Sequence, residues 1–180
     1  YLVFDEELIN KPDGVVLEVI SMEKELERTL SAEETITLVK LSPAYKNSYI
    51  EMVEEWDRLG ERINPAILRM DYSDFNQVLI RLYECEQGIN IPEGHVSHST
   101  YFLVRNKLEI IGAINLRHHL NERLLLTEGH LGGGIRPSER KQGYASLMLR
   151  LALEKIKEEH DVHHVLVTCN KGNIGSEKAI

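Results

Sequence analysis

The sequence predicts an α/β domain (α+β) on a mixed, mostly antiparallel central sheet that includes one parallel strand–helix–strand unit. Helical periodicity alternates with short apolar runs along the chain, and two of these runs flank a turn at Arg105-Asn106-Lys107. The strongest helical pattern, residues 139–159, is followed directly by the apolar run His164–Cys169. A strand, a helix and a strand in sequence normally form a right-handed crossover with parallel strands.

Residues 1–35 form a segment of their own, which we predict to be hairpin-like. The apolar stretches Tyr1–Leu8 and Val15–Ile20 flank a turn at Lys11-Pro12-Asp13-Gly14. The charged stretch Ser21–Leu30 fits a short helix. The sequence of this segment does not indicate a function. We expect the main domain to cover residues 36–180.

Two helices follow the first strand of the main domain, Ile36–Leu41. The first opens at Ser42-Pro43, where a hydroxyl residue precedes a proline at the first helical position, and it ends at Gly60. The second covers Asp74–Gln87. The apolar residues at helical spacing are Tyr45, Tyr49, Val53, Trp56 and Leu59 in the first helix and Phe75, Val78, Leu79, Leu82 and Tyr83 in the second. We expect both stripes to pack in the core.

Four strands and a long helix complete the order of elements. The strands are Thr100–Val104, Leu108–Leu116, an extended stretch from about Leu124 to Ile135, and His164–Cys169, with the helix 139–159 before the last of them. Another helix starts at about Asn173, and the sequence stops at Ile180. We therefore expect the C-terminal elements of the fold to be missing from the given chain.

The composition argues against several classes of function. The chain has 180 residues and a formal net charge of -8, whereas duplex nucleic acids are bound mainly by clustered Lys and Arg. No apolar run is long enough to span a membrane, and the N-terminus lacks the order of a signal peptide. Cys85 and Cys169 make no disulfide framework, so we expect a cytoplasmic location. The eight histidines show no HxxxH or HExxH spacing, and we expect no metal site.

The most specific segment is Gly132–Ala145, with the sequence GGGIRPSERKQGYA. A strand ends at Ile135-Arg136, Pro137 prevents its continuation, and a helix opens near Gly143. The start of a helix presents unpaired N–H groups and the positive end of its dipole, so such a turn suits a phosphate group. It is neither a P-loop, because GxxxxGK[ST] is absent, nor a dinucleotide fingerprint, because a proline stands at the third glycine position.

This segment resembles that of a known superfamily. Arg140-x-x-Gly143-x-Ala145 matches the [R/Q]-x-x-G-x-[G/A] signature of the bacterial-type GNAT (GCN5-related N-acetyltransferase) superfamily, and Asn173-x-x-Ser176 looks like the start of its next motif. The order of elements over residues 36–180 is also similar to that family. The resemblance implies acetyl-CoA as cosubstrate and transfer of its acetyl group to a primary amine by direct attack in a ternary complex.

The resemblance further implies which residues hold the cofactor. The expected cofactor-binding residues are Gly133, Gly134, Ile135, Arg136, Arg140, Lys141, Gln142, Gly143, Tyr144, Ala145, Asn173 and Ser176. Backbone groups of the strand would pair with the extended pantetheine arm, and N–H groups at the start of the helix would bind the pyrophosphate. The basic side chains of the turn would add ionic contacts.

Acetyl transfer needs a base, because a free amine with a pKa near ~10.4 must lose its proton before it attacks. Alternation along the predicted strand puts several residues on one face: Glu128, His130, Gly132, Gly134 and Arg136. His130 titrates in the useful range and is our first choice for the base, with Glu128 second; a half-buried polar residue without a catalytic role is an equal alternative for either. A backbone N–H near Ile135 would stabilise the oxyanion.

The acceptor and the general acid are not assigned by the sequence. In many relatives the acid is a tyrosine in the helix after Asn173, beyond the last residue here. The family builds its acceptor site mainly from the region that residues 60–100 occupy, and five carboxylates in and near it favour a cationic amine, on a small molecule or on a protein: Glu54, Glu55, Glu61, Glu84 and Glu86. The alternative function is a non-catalytic acyl-CoA-binding or regulatory module. A homodimer is left open.

Overall fold

The computed structural model describes residues 15–21, 34–159 and 164–180. Its strands are β1 (Val15–Ser21), β2 (Ile36–Val39), β3 (His98–Arg105), β4 (Glu109–Arg117), β5 (Leu131–Ile135) and β6 (His164–Asn170). Its α-helices are α1 (Lys46–Arg58), α2 (Phe75–Gln87), α3 (Glu122–Thr127), α4 (Tyr144–Glu159) and α5 (Ile174–Glu177). None of the helices in these ranges is long and apolar enough to cross a membrane.

All six strands belong to one sheet in the order β1-β6-β5-β4-β3-β2. Every neighbouring pair is antiparallel except β5 and β6, which are parallel and are connected through α4. The predicted mixed sheet with one parallel crossover is therefore confirmed. β1 pairs with β6 over its whole length. The predicted hairpin partner and turn, and the helix over Ser21–Leu30 apart from its first residue, lie outside the described residues.

Helices cover the two faces of the sheet and divide its core. α1 and α2 pack on one face, where Tyr49, Trp56 and Val78 meet Phe102 and Ala113. α4 packs on the other face, against the alternate residues of the same strands. Because successive side chains of a strand point to opposite faces, the neighbouring strands β3 and β4 contribute apolar residues to both clusters. These two strands are accordingly buried along almost their whole length.

The ends of α2 agree with the sequence prediction, whereas the start of α1 does not. Asp74 caps α2 by accepting a hydrogen bond from the N–H of Asn76, and Gly88 ends it at a φ of 73°. The start of α1 differs, because a short 3₁₀ turn precedes it and Ser42 makes no side-chain cap. Tyr83, predicted on the inner face of α2, is 60% exposed, so the apolar stripe is narrower than predicted.

The predicted strand from about Leu124 to Ile135 is wrong in its first half. The structure has α3 there, followed by the shorter strand β5. The side chain of Asn121 caps α3 by accepting from the N–H of Leu124, and the Leu124 side chain is buried. The cap from Asn121 and the burial of Leu124 in the core stabilise this short helix. Glu128 and His130 thus precede β5 and do not belong to its alternating face.

Candidate active site

β5 and β6 stay together only at the start of β5. Among the described residues, Leu131 and Val167 form the one register pair that joins these two strands. Beyond this pair β5 continues along β4 to Ile135, while β6 continues along β1 to Asn170. The sheet therefore has an opening between β5 and β6, which is closed near Leu131 and lies between the carboxyl ends of both strands.

The edge of β5 presents backbone groups to this opening. The carbonyl of His130 and the N–H of Arg136 both bond to β4. Because alternate residues of an antiparallel strand face the same neighbour, the even-numbered residues between them also face β4. The N–H and C=O groups of Gly133 and Ile135 consequently point into the opening, whereas those of Gly134 do not.

Two side chains bond to the carbonyls of that edge. Asn64 Nδ2 donates to the carbonyl oxygen of Gly133 at 2.8 Å, and Arg140 Nε donates to that of Ile135 at 3.3 Å. The N–H groups of the same two strand residues face the opening as donors for an extended chain of amides. Strand-like docking of a ligand uses donors of this kind on the edge of a strand.

The glycines of β5 allow close packing of the strand from both faces. A Cβ atom on Gly134 would lie 2.8 Å from the carbonyl oxygen of Asn64 and 3.0 Å from the Trp56 ring. A Cβ atom on Gly133 would lie 2.8 Å from the carbonyl oxygen of Ala113. These distances are shorter than van der Waals contact, so both positions require glycine unless the neighbours move.

The turn after β5 contains residues with positive φ angles directly before a helix. Lys141 and Gly143 have φ angles of 62° and 78°, and α4 starts immediately after them. The turn lies at the N-terminus of α4, which has 16 residues. The first N–H groups of α4 and the positive end of its dipole therefore point toward the turn. Tyr144 turns its side chain away, since its hydroxyl donates to Glu34. Ala145 packs against the core and keeps the helix close to the sheet.

Carboxylates from α1 and the following loop bind the two arginines of the turn. Glu55 binds the Arg136 guanidinium and also accepts from the N–H of Ser138 at 2.6 Å. Burial raises the pKa of Glu55, but its hydrogen bonds from Arg136 and Ser138 outweigh this, and the pKa is lowered. Glu61 binds Arg140 through both oxygens, at 2.6 and 3.0 Å. These two glutamates therefore face the turn, and the free acidic surface predicted for the acceptor is reduced.

The Arg140 guanidinium also stacks on the side chain of Trp56. Its central carbon lies 4.8 Å from the ring centroid, within the range of a cation–π contact. The same ring covers Gly134 on β5. Trp56 therefore connects α1 with both the turn and β5. Because it is the one tryptophan of the chain, its fluorescence can report on this contact.

Glu128, the second choice for the base, lies at the end of α3 and not on the strand. Its carboxylate binds the guanidinium of Arg117 at 2.5 Å and also that of Arg123. The Glu128 side chain is 41% exposed, and Arg117 reaches within 3.7 Å of the position that a Gly132 Cβ atom would take. Glu128 is therefore connected to the closed end of the opening through an arginine.

His130, the first choice, lies between β4 and β6. Its N–H donates to the carbonyl of Leu166 at 2.7 Å, and its Nδ1 is 3.0 Å from the N–H of Leu166. Burial lowers the pKa of His130, and the charge of Arg117 lowers it further. The imidazole is consequently neutral at pH 7 and already hydrogen-bonded.

A network of hydrogen-bonded polar side chains lies on the sheet beside the closed end of the opening. Asn115 is buried opposite Gly132 in the register of β4 and β5. Its amide nitrogen lies 2.7 Å from His98 Nδ1 and 3.0 Å from Thr100 Oγ1. Burial is the main cause that lowers the pKa of His98 to about 4, followed by the charge of Arg117. His98 is therefore a neutral hydrogen-bonding group at pH 7.

Asn173 and Ser176 follow the carboxyl end of β6, on the other side of the opening. Asn173 caps α5, since its Oδ1 accepts from the N–H of Ser176 at 3.2 Å. The two predicted residues are thus brought together. Gly172 precedes them in an open turn at a φ of 88°.

Two residues of the first helix and its loop contact β5 without having been predicted to do so. They are Trp56, which was predicted only as a core residue, and Asn64. Glu61 was predicted as a carboxylate of the acceptor region, and the structure pairs it with Arg140. The sequence did carry a signal for the polar network, because Asn115 interrupts an otherwise apolar strand. Within the described ranges, no group of three or more His, Cys, Asp or Glu side chains is arranged to hold a metal ion.

Comparison with known proteins identifies the family. The family model described as an acetyltransferase (GNAT) domain matches residues 36–180. The chain belongs to the GNAT acetyltransferase family. A search of curated proteins and a search of solved structures gave no match. Membership of the GNAT family accounts for the mixed sheet and supports acyl-CoA-dependent acetyl transfer with an amine as acceptor.

Proposed function

We propose that this GNAT domain transfers an acetyl group from acetyl-CoA to a primary amine by direct attack in a ternary complex. The observation that carries the proposal is the opening between β5 and β6. It is lined by the N–H groups of Gly133 and Ile135, and the turn at the start of α4 follows the same strand. An extended arm with an anionic end fits this arrangement of donors.

The residues of the turn and of both strand ends fit the cofactor. The proposed cofactor-binding residues are those of the sequence prediction: Gly133, Gly134, Ile135, Arg136, Arg140, Lys141, Gln142, Gly143, Tyr144, Ala145, Asn173 and Ser176. Gly133 and Ile135 would contribute backbone hydrogen bonds, whereas Gly134 would contribute the space that its missing side chain leaves. When bound, acetyl-CoA supplies the activated acetyl thioester.

The protein's own contribution to the reaction is to position the amine and remove its proton. The amine nitrogen forms a bond to the thioester carbon, the bond from carbon to sulfur breaks, and the sulfur leaves as a thiolate. A backbone N–H near Ile135 would stabilise the oxyanion that forms on the way. Both oxygens of Glu128 bind arginines, and the accepting lone pair of His130 binds Leu166. Glu128 is the better placed of the two candidate bases, because its side chain is 41% exposed and a carboxylate keeps further lone pairs, whereas a neutral imidazole has only one.

The acceptor class is a primary amine of a small molecule or of a protein. Two of the five carboxylates that favoured a cationic acceptor bind arginines of the turn, and Glu86 binds Lys40. A cationic acceptor therefore has less support from the structure than from the sequence. We also propose a cytoplasmic location, which the two free cysteines Cys85 and Cys169 support.

Binding of acetyl-CoA to a Gly143→Glu variant tests the cofactor site. The new carboxylate would lie at the start of α4, where repulsion of about 1.4 kcal/mol or more from the diphosphate weakens binding at least about tenfold. Gly94→Glu is the matched control, since Gly94 has a φ of 77° against 78° at Gly143 and has open space around it. Calorimetry that finds equal affinities for the two variants would refute the placement.

Release of the free thiol with a panel of primary amines tests catalysis. Turnover with at least one amine is expected from an acetyltransferase. Tight binding of acetyl-CoA without thiol release for any amine would instead support a non-catalytic acyl-CoA-binding module.

A further inference from the structure

His130 bonds to both neighbouring strands at the closed end of the opening. Its backbone carbonyl accepts from the N–H of Arg117 on β4 at 2.9 Å. Its backbone N–H donates to the carbonyl of Leu166 on β6 at 2.7 Å. The His130 carbonyl therefore points toward β4, away from the N–H of Leu166 on β6.

The imidazole supplies the missing acceptor. Leu166 donates its N–H to His130 Nδ1 at 3.0 Å, and together with the 2.7 Å backbone bond this makes a two-bond pair between the strands. Nδ1 must carry its lone pair to accept, so the neutral ring holds its proton on Nε2. The side chain thereby takes the place of a backbone carbonyl of the sheet.

The neighbouring residues show how tightly the strands meet here. Gly129 has a φ of 62°, and a Cβ atom on it would lie 2.4 Å from the carbonyl oxygen of Leu166. Thr168 donates its hydroxyl proton to the carbonyl of Thr127 at 3.1 Å. After the Leu131 and Val167 pair the described strands share no further register pair. The contact between β5 and β6 at Leu131 and Val167, which we call the join, is therefore short. The His130 imidazole provides one of its few hydrogen bonds.

We propose that His130 is a positioning residue whose imidazole holds β5 and β6 together and so fixes the inner end of the opening. The join itself is independent of the proposed function, but its effect on acetyl-CoA rests on that function. If the join loosens, the inner end of the opening is no longer defined, and the acyl end of the bound thioester is held less firmly. A base would need the same Nδ1 lone pair and would have to break the bond with Leu166.

Two isosteric variants separate the positioning role from a basic one. The amide oxygen of asparagine is three bonds from Cα, as Nδ1 is, so His130→Asn keeps an acceptor for Leu166 but cannot act as a base. The amide of glutamine is one bond farther, as Nε2 is, so His130→Gln loses the acceptor. For a positioning residue we expect His130→Asn to keep the melting temperature of the wild type. Its Kd for coenzyme A should stay within about threefold of the wild-type value, since the hydrogen bond to Leu166 is preserved.

For the same role we expect His130→Gln to melt several degrees lower and to bind coenzyme A about tenfold more weakly, because it leaves a buried N–H unpaired. A base predicts a different result, in which both variants bind coenzyme A like the wild type and lose kcat by about 10²–10⁴. That result, or equal melting temperatures for wild type and His130→Gln, overturns the proposal. Folding of His130→Asn without folding of His130→Gln supports it.

The ring tautomer gives a readout that needs no activity and no variant. Nitrogen NMR of the wild-type protein should show His130 with an unprotonated Nδ1 and a protonated Nε2 at pH 7. A protonated Nδ1 overturns the proposal. If the wild type binds no coenzyme A, the proposed function fails, while the tautomer and the melting temperatures still decide the role of His130.

Discussion

Protonation of His98 should destabilise the fold below neutral pH. His98 Nδ1 lies 2.7 Å from the amide nitrogen of Asn115, in the buried network opposite Gly132. Burial and the charge of Arg117 lower the pKa of His98 from an ordinary value of 6.5 to about 4. The folded protein thus prefers the neutral imidazole, while the unfolded chain binds the proton more readily.

The direction of the effect follows from linkage between protonation and folding. Between pH 6.5 and about 4 the unfolded chain binds more protons at His98, so the stability contribution is complete above pH 6.5 and declines as the pH falls toward 4. Each pH unit between the two pKa values of His98 corresponds to about 1.4 kcal/mol in the free energy of unfolding. The distance from 6.5 to about 4 therefore sets an upper limit of about 3 kcal/mol on the contribution of His98. Because His98 is only partly buried, screening by solvent reduces the expected contribution to about 1–2 kcal/mol.

Urea unfolding at pH 7 and pH 4.5 measures this contribution. Wild type should lose about 1–2 kcal/mol more free energy of unfolding between these pH values than His98→Asn, which keeps an acceptor but cannot titrate. His119→Asn is the matched control, because His119 is an exposed histidine nearby. Equal losses in wild type and His98→Asn would show that the network does not prefer the neutral imidazole.

Two further predictions concern the turn and the base. Glu61→Gln should tighten binding of coenzyme A about twofold to fivefold, because Arg140 no longer has to leave an exposed carboxylate, and exposed ion pairs are weak. Titration followed by Trp56 fluorescence measures the affinity, and an unchanged affinity contradicts the reasoning. Glu128→Gln should lower kcat about 10²-fold or more with little change in the Kd for coenzyme A, and an unchanged pH–rate profile would exclude Glu128 as the base.

Part of the site could be predicted from the sequence because its signals are local. The turn from Arg140 to Ala145 needs a particular backbone, and only the residues at and next to Gly143 decide whether that backbone can form. The cap of Asn173 is local for the same reason. The residues that reach the opening from elsewhere, Trp56 and Asn64 among them, have no local signal and depend on packing of α1 against the sheet.

The sequence by itself determined the mixed sheet, its parallel crossover, the ends of α2 and the position of the turn between β5 and α4. These features depend on periodicity and on short-range hydrogen bonds. The tertiary structure alone decided that residues around Leu124 form a helix, since the gain comes from burying that leucine in a core assembled from distant segments. It likewise decided the hydrogen-bond partners of His130, because Arg117 and Leu166 come from two other strands that only the folded sheet brings together.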